Sequence, residues 1–147
     1  MNNRTFYNEI LTEHNMHPAH KHVSVGSVIS LRGINPSCGD DITLQLLLGD
    51  DGIIKDGSFI GDGCAISQAS ADMMLDLIIG KTVDEAMKLK EIFIKMIRGE
   101  ATEEEIDSLE EASALRDISH MPSRVKCAVL GWHTFEEMMK DHEGKNE

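Results

Sequence analysis

The chain has 147 residues and a mass of 16.3 kDa, enough for one domain with a core of its own and no need of disulfides. Fourteen basic residues against 26 acidic ones leave a net charge of −12, which argues against a nucleic-acid binder with its basic face and against docking on anionic membrane. No apolar run has transmembrane length and no secretory leader is legible; a cytoplasmic protein is expected, whose three cysteines do not make a disulfide framework.

In chain order, Phe6, Tyr7, Ile10, Leu11 and His14 form a helix-period stripe over residues 4–15, which Pro18 stops. Val23 to Leu31 is rich in β-branched residues and reads as a strand. Pro and Gly make Gly33–Asp41 a loop, and Ile42, Leu44, Leu46 and Leu48 then alternate with polar residues as a strand with one buried face. Gly49-Asp50-Asp51-Gly52 is a turn, after which Ile53 to Ile60 returns as the second arm of a hairpin. The second half is helical: Ala65–Ile79, where Ile66, Ala69, Met73 and Leu77 share a face, then a helix capped by Thr82 and Glu85 through Ile97. Thr102 with Glu105 caps another, and Pro122 opens a last helix to about Lys140. The fold class is therefore α+β, a small antiparallel three-stranded sheet packed against several helices. Between Glu100 and Arg116 stand seven acids and one base, half of the net charge; this reads as a solvated helix face, the alternative being a docking surface for a basic partner.

Each cysteine stands in a chemically suggestive setting. Cys38 and Asp40 form a C-x-D unit in the Gly/Pro loop, Cys64 follows Gly61-x-Gly63 at a helix start, and Cys127 lies in the first turns of the last helix. On that helix Val125, Ala128, Val129, Trp132, Phe135 and Met139 make the apolar stripe, and Cys127 falls about 100° or more from its centre, so it does not read as packing filler. Three thiolates and a carboxylate suit tetrahedral zinc, although no CxxC pair is present and inert thiols remain the alternative. Gly61 and Gly63 allow amides to turn toward a sulfur, a helix N-terminus at Cys64 favours thiolate, and Arg124 and Lys126 add positive charge near Cys127. His14, His17, His20 and His22 crowd one region and read either as a metal site or as solvent-facing polar residues. Ser67, Ser70 and His133 lack the G-x-S-x-G elbow of a hydrolase, so the serines read as helix-surface or packing residues.

Taken together, Asn35-Pro36-x-Cys38-Gly39-Asp40, Gly61-x-Gly63-Cys64-Ala65-Ile66-Ser67-x-Ala69-Ser70 and Arg124-x-Lys126-Cys127 resemble the three signatures of the IscU/NifU-like iron–sulfur cluster assembly proteins, from about Tyr7 to Met139. The resemblance is to the SufU branch: Lys126 stands where the IscU branch has histidine, and the acidic stretch matches a SufU insertion, here a helical one near residues 99–118 of a single domain spanning 1–147. The segment Asn15–His22 lacks the family's Pro-Arg-like pattern. The resemblance implies a SufE/IscU-like fold, zinc held by Cys38, Asp40, Cys64 and Cys127, and Cys38 as acceptor of persulfide sulfur from a SufS-type cysteine desulfurase. Arg124, with Lys126, would assist by stabilising anionic sulfur or the docking contact, and downstream iron–sulfur assembly proteins would receive what is transferred. The alternative it implies is a scaffold on which the same residues carry an iron–sulfur cluster.

Overall fold

A computed structural model describes residues 3–24, 26 and 28–145. The elements run α1 (Asn3–Met16), β1 (Ile29–Asn35), β2 (Asp40–Leu48), β3 (Ile54–Asp62), α2 (Ala65–Ile78), α3 (Val83–Ile97), α4 (Glu103–Asp107), a 3-10 segment (Glu110–His120) and α5 (Pro122–Lys145).

The sheet has the order β1-β2-β3 and is antiparallel throughout. Period-two alternation puts Ile42, Leu44 and Leu46 of the central strand on one face, where they are buried under the helices. The first strand begins later than the β-branched run suggests. Its register pairs Ile29 with Leu46, and β2 ends at Leu48, so this ladder stops short of Val23; Val25 and Ser27 of the expected strand lie outside the described residues. The chain there runs across the sheet instead: the Ser24 amide donates to Gln45 Oε1 at 3.0 Å and its hydroxyl bonds that of Ser58. The expected loop shrinks correspondingly to residues 36–39, because ladder pairing satisfies the backbone up to the facing pair Asn35 and Asp40. At Gly33, a Cβ would come within 2.1 Å of Thr134 Oγ1, so this glycine lets α5 lie directly on β1.

Helix α2 crosses the sheet and is almost wholly buried, and α5 packs against it. The two are pinned by Ser70, whose hydroxyl donates to the Ala128 carbonyl at 2.6 Å and accepts from Trp132 Nε1 at 3.1 Å. Trp132 stacks on Phe93 of α3 with ring centroids 4.3 Å apart. Both capping boxes form, Thr82 with Glu85 and Thr102 with Glu105. The helix capped by Thr102 stops after Asp107. Beyond it Leu109, Ala112, Leu115 and Ile118 recur every third residue, the repeat of a 3-10 helix, and all four are buried. The acidic stretch is therefore anchored by an inner apolar row, while Glu103, Glu104, Asp107, Glu110 and Glu111 face solvent. Among the described residues no helix is long and apolar enough to cross a membrane.

In α1, Ile10 and Leu11 pack on the core and His14 is buried; the side chains of Phe6 and Tyr7 lie outside the described ones. The His14 imidazole lies between Asp72 Oδ2 and Glu111 Oε2, each 2.6 Å away. The Asp72 hydrogen bond chiefly, against the opposing effect of burial and with help from Glu111, raises its pKa from 6.5 to about 9. A folded-state pKa above the unfolded one contributes stability fully below the unfolded value and loses it as pH rises through the folded one. His14→Gln is therefore expected to cost on the order of 2 kcal/mol near pH 6, after allowance for the exposed Glu111, and much less near pH 10. Denaturant unfolding of both proteins at the two pH values checks this.

Candidate metal centre

Three chain segments meet at one end of the sheet. The first is the turn over residues 36–39 between β1 and β2, which holds Cys38; its amide donates to the Asn35 carbonyl at 3.3 Å. The second is the junction of β3 and α2. Register pairs Ile42 with Gly61, whose φ of +116° and Cβ position, 2.1 Å from the Asp41 carbonyl oxygen, admit only glycine. Gly61→Ala is accordingly expected to destabilise the fold by about 2 kcal/mol or more, measured by denaturant unfolding. The third segment is the start of α5, which begins at Pro122 and turns Cys127 inward.

Asp40 is fully buried, and four groups converge on its carboxylate. Oδ1 accepts from the Cys64 amide at 2.8 Å and the Ser67 hydroxyl at 3.0 Å, while Oδ2 accepts from Asn35 Nδ2 at 3.0 Å. Burial alone would raise this carboxyl, but the Cys64 amide, the Cys127 thiol, Ser67 and Asn35 together bring it below its usual value. Asp40 is held as an anion.

The Cys127 sulfur lies 3.0 Å from that of Cys38 and accepts from Asn35 Nδ2 at 3.7 Å. Burial pushes the Cys127 thiol far up, and contacts with Cys38, Cys64 and Asp40 push the same way. Such a packed set of anionic-capable donors needs a cation to hold its thiols deprotonated. The ligand atoms of Cys38, Asp40 and Cys127 lie within 4.8 Å of one another. Cys64 is the N-cap of α2: its sulfur accepts from the Ser67 amide at 3.4 Å, which turns it aside from that trio although it adjoins Cys127. Zinc fits this donor set in chemistry, with sulfur and carboxylate oxygen as its ligands.

Exposure differs among these groups. Cys38 and Cys64 are half-buried, while Asp40 and Cys127 are closed off. Cys127 is thus more deeply buried than the helical arithmetic suggested, because β1 and its turn cover a second flank of α5; it still faces the other thiols and lies outside the main apolar cluster. Arg124 is exposed on α5, its guanidinium charge reinforced by Cys64 first, then by Cys127 and Cys38. Lys126 faces elsewhere, into an open cleft of about 390 Å3 shared with Arg32, His133, Thr134 and Glu137.

Asn35 and Ser67 are functional positions that residue-type reasoning passed over. Both serve Asp40, Asn35 through cross-strand pairing and Ser67 by standing three residues after an N-cap. Ser67 and Ser70 are buried, so the surface reading holds for neither; Ser70 packs α2 on α5, whereas Ser67 supports Asp40.

The sequence matches the family described as the NifU-like N terminal domain over residues 6–128. It is 38% identical over 142 residues to the zinc-dependent sulfurtransferase SufU of Bacillus subtilis, covering 97% of this chain and 95% of that one. It is 48% identical over 108 residues to the iron–sulfur cluster assembly scaffold protein IscU of Thermotoga maritima, covering 74% of each. Among solved structures it resembles a protein of Fervidobacterium islandicum AW-1 assigned as an iron–sulfur cluster assembly scaffold for the SUF system. That match has a TM-score of 0.81 and 34% identity, and covers 90% of this chain and 96% of that one.

Proposed function

The chain belongs to the NifU-like N-terminal domain family, and from that premise we propose that it is a zinc-dependent sulfur acceptor and transfer protein of iron–sulfur cluster biogenesis. The observation that carries the reading is the asymmetry of the site, in which a half-exposed cysteine on a turn lies over a buried thiol and a buried carboxylate. Cys38, Asp40, Cys64 and Cys127 would hold the metal; Zn2+, when bound, keeps their sulfurs as thiolates.

Cys38 acts as nucleophile. Its thiolate attacks the terminal sulfur of a persulfide on a SufS-type cysteine desulfurase. The bond between that sulfur and the donor cysteine breaks, the donor cysteine leaves as thiolate, and Cys38 carries the persulfide onward to iron–sulfur assembly proteins. The turn that bears Cys38 is closed by two backbone hydrogen bonds, of 3.3 and 3.4 Å, and its thiol is held on α5 by a weak bond to the Ser123 carbonyl at 3.9 Å, so this thiol can move outward while Asp40 stays fixed by its donors. Cys127 and Cys64, rooted on α5 and at the start of α2, keep the remaining framework in place. Arg124 offers its guanidinium to the anionic sulfur. Arg124→Ala is expected to slow sulfur acceptance about tenfold while zinc content stays at wild-type level, read by desulfurase turnover and metal analysis.

The 48% identity to a cluster scaffold supports a second reading, in which the same thiols ligate an iron–sulfur cluster. Lys126, directed into the neighbouring cleft, offers no ligand in the position of the IscU histidine, and this favours transfer. Metal analysis of isolated protein separates the two: one tightly held zinc supports transfer, and a coloured cluster passed to an apo-protein supports scaffolding. We place the protein in the cytoplasm and read residues 99–118 as an insertion within a single domain.

A further inference from the structure

The four N-terminal histidines divide in two. His17 and His22 face solvent, whereas His14 and His20 turn onto carboxylates of α2. Asp72 and Asp76, one helical turn apart, meet the two imidazoles: Asp72 Oδ2 bonds His14 Nδ1 at 2.6 Å, and Asp76 Oδ1 bonds His20 Nε2 at 2.7 Å. Asp72 Oδ1 also accepts the His20 amide at 2.9 Å, which fixes the loop carrying that second imidazole. Glu111, from the start of the 3-10 segment, approaches His14 Nε2 from the other side at 2.6 Å.

This arrangement has the parts of a carboxylate–histidine–metal relay. The buried Asp72 orients the ring through Nδ1 and leaves Nε2 directed at Glu111. One ring nitrogen of His14 and a carboxylate oxygen from each of Asp76 and Glu111 lie within 4.8 Å of one another. Three carboxylates meet the two imidazoles, so the cluster is rich in anionic oxygen donors. A cavity of about 330 Å3 lined by Asp76, Glu110, Glu111, Met73, Leu77 and Leu109 adjoins the two outer carboxylates.

We infer that His14, Asp76 and Glu111 form a second metal site for a first-row divalent cation of the zinc type, with His20 positioned beside it. Its ligands are nitrogen and oxygen only, which sets it apart chemically from the thiol site. Asp76 lies twelve residues beyond Cys64 along α2, about 18 Å of helix, so the two sites are separate. A cation there clamps α1, α2 and the 3-10 segment together, replacing the direct His14–Glu111 hydrogen bond with a bridge through the metal. This inference does not depend on the sulfur-transfer reading.

The test is a Co2+ titration of the full zinc-loaded chain, followed by visible and near-ultraviolet absorption, for wild type, Asp76→Asn and Glu111→Gln. Both substituted carboxylates are substantially exposed, so the variants retain the fold, as circular dichroism verifies. Expected is one further Co2+ per chain, with d–d bands but no thiolate charge-transfer band, bound about tenfold or more weakly by each variant. Absence of such a cobalt species, or its equal binding by both variants, overturns the inference.

Discussion

Cys38→Ala is expected to return cysteine desulfurase turnover to the level of the desulfurase alone, a loss of at least about a hundredfold in the stimulated component. No other sulfur can take its place. Cys127 is buried beneath it, and the Cys64 sulfur is engaged as the cap of α2. The substitution leaves the fold intact, because Cys38 lies half-exposed on a turn outside the apolar cluster and metal-free stability should change by less than about 1 kcal/mol. Turnover assayed with saturating variant, beside an unfolding curve of metal-free protein, separates lost chemistry from lost structure. Cys38→Ser should fail equally, since a hydroxyl is neither a thiolate nor an acceptor of persulfide sulfur.

Stripping zinc is expected to lower the melting temperature by about 10 °C without unfolding the chain at room temperature. A ligand present at a thousand times its dissociation constant stabilises by about 4 kcal/mol, and a domain of this size gains roughly 2–4 °C per kcal/mol. The apo-protein stays folded because the sheet face, α2, α3 and α5 share a continuous apolar core in which Phe59, Phe93, Trp132 and Phe135 are fully buried. Cys127→Ala should mimic this loss, with zinc falling well below one per chain. Asp40→Ala should be worse for the fold, since it also strands the Cys64 amide, at about 1–3 kcal/mol, and leaves Ser67 with only the Cys64 carbonyl and Asn35 with only the Cys127 sulfur. Differential scanning calorimetry with and without chelator, with metal analysis of each variant, reads both effects.

Much of this architecture is legible from local patterns. Alternation in Ile42, Leu44 and Leu46 marks the central strand, the two capping boxes mark α3 and α4, and the apolar stripe around Trp132 marks α5. Where a tertiary contact overrides local preference, the sequence misleads. Val23 favours a strand but lies beyond the end of the β1–β2 ladder, and the chain after Asp107 follows the three-residue spacing of Leu109, Ala112, Leu115 and Ile118 into a 3-10 path. The cysteines and Asp40 are readable as a set because each stands in a motif. The supports of Asp40 are not, since Asn35 reaches it only through strand pairing and Ser67 only through the cap of α2. Likewise, a cluster of histidines in sequence says nothing of Asp72, Asp76 and Glu111, which come from distant elements.

On the proposed reading, transferred sulfur arrives on Cys38 Sγ. The most direct test mixes the zinc-loaded chain with a SufS-type cysteine desulfurase and L-cysteine, traps persulfides by alkylation and maps them by peptide mass spectrometry. One added sulfur atom on the peptide bearing Cys38, with Cys64 and Cys127 unmodified, is the predicted result; a persulfide on Cys64 or Cys127, or none on the chain while desulfurase turnover is still stimulated, would contradict it.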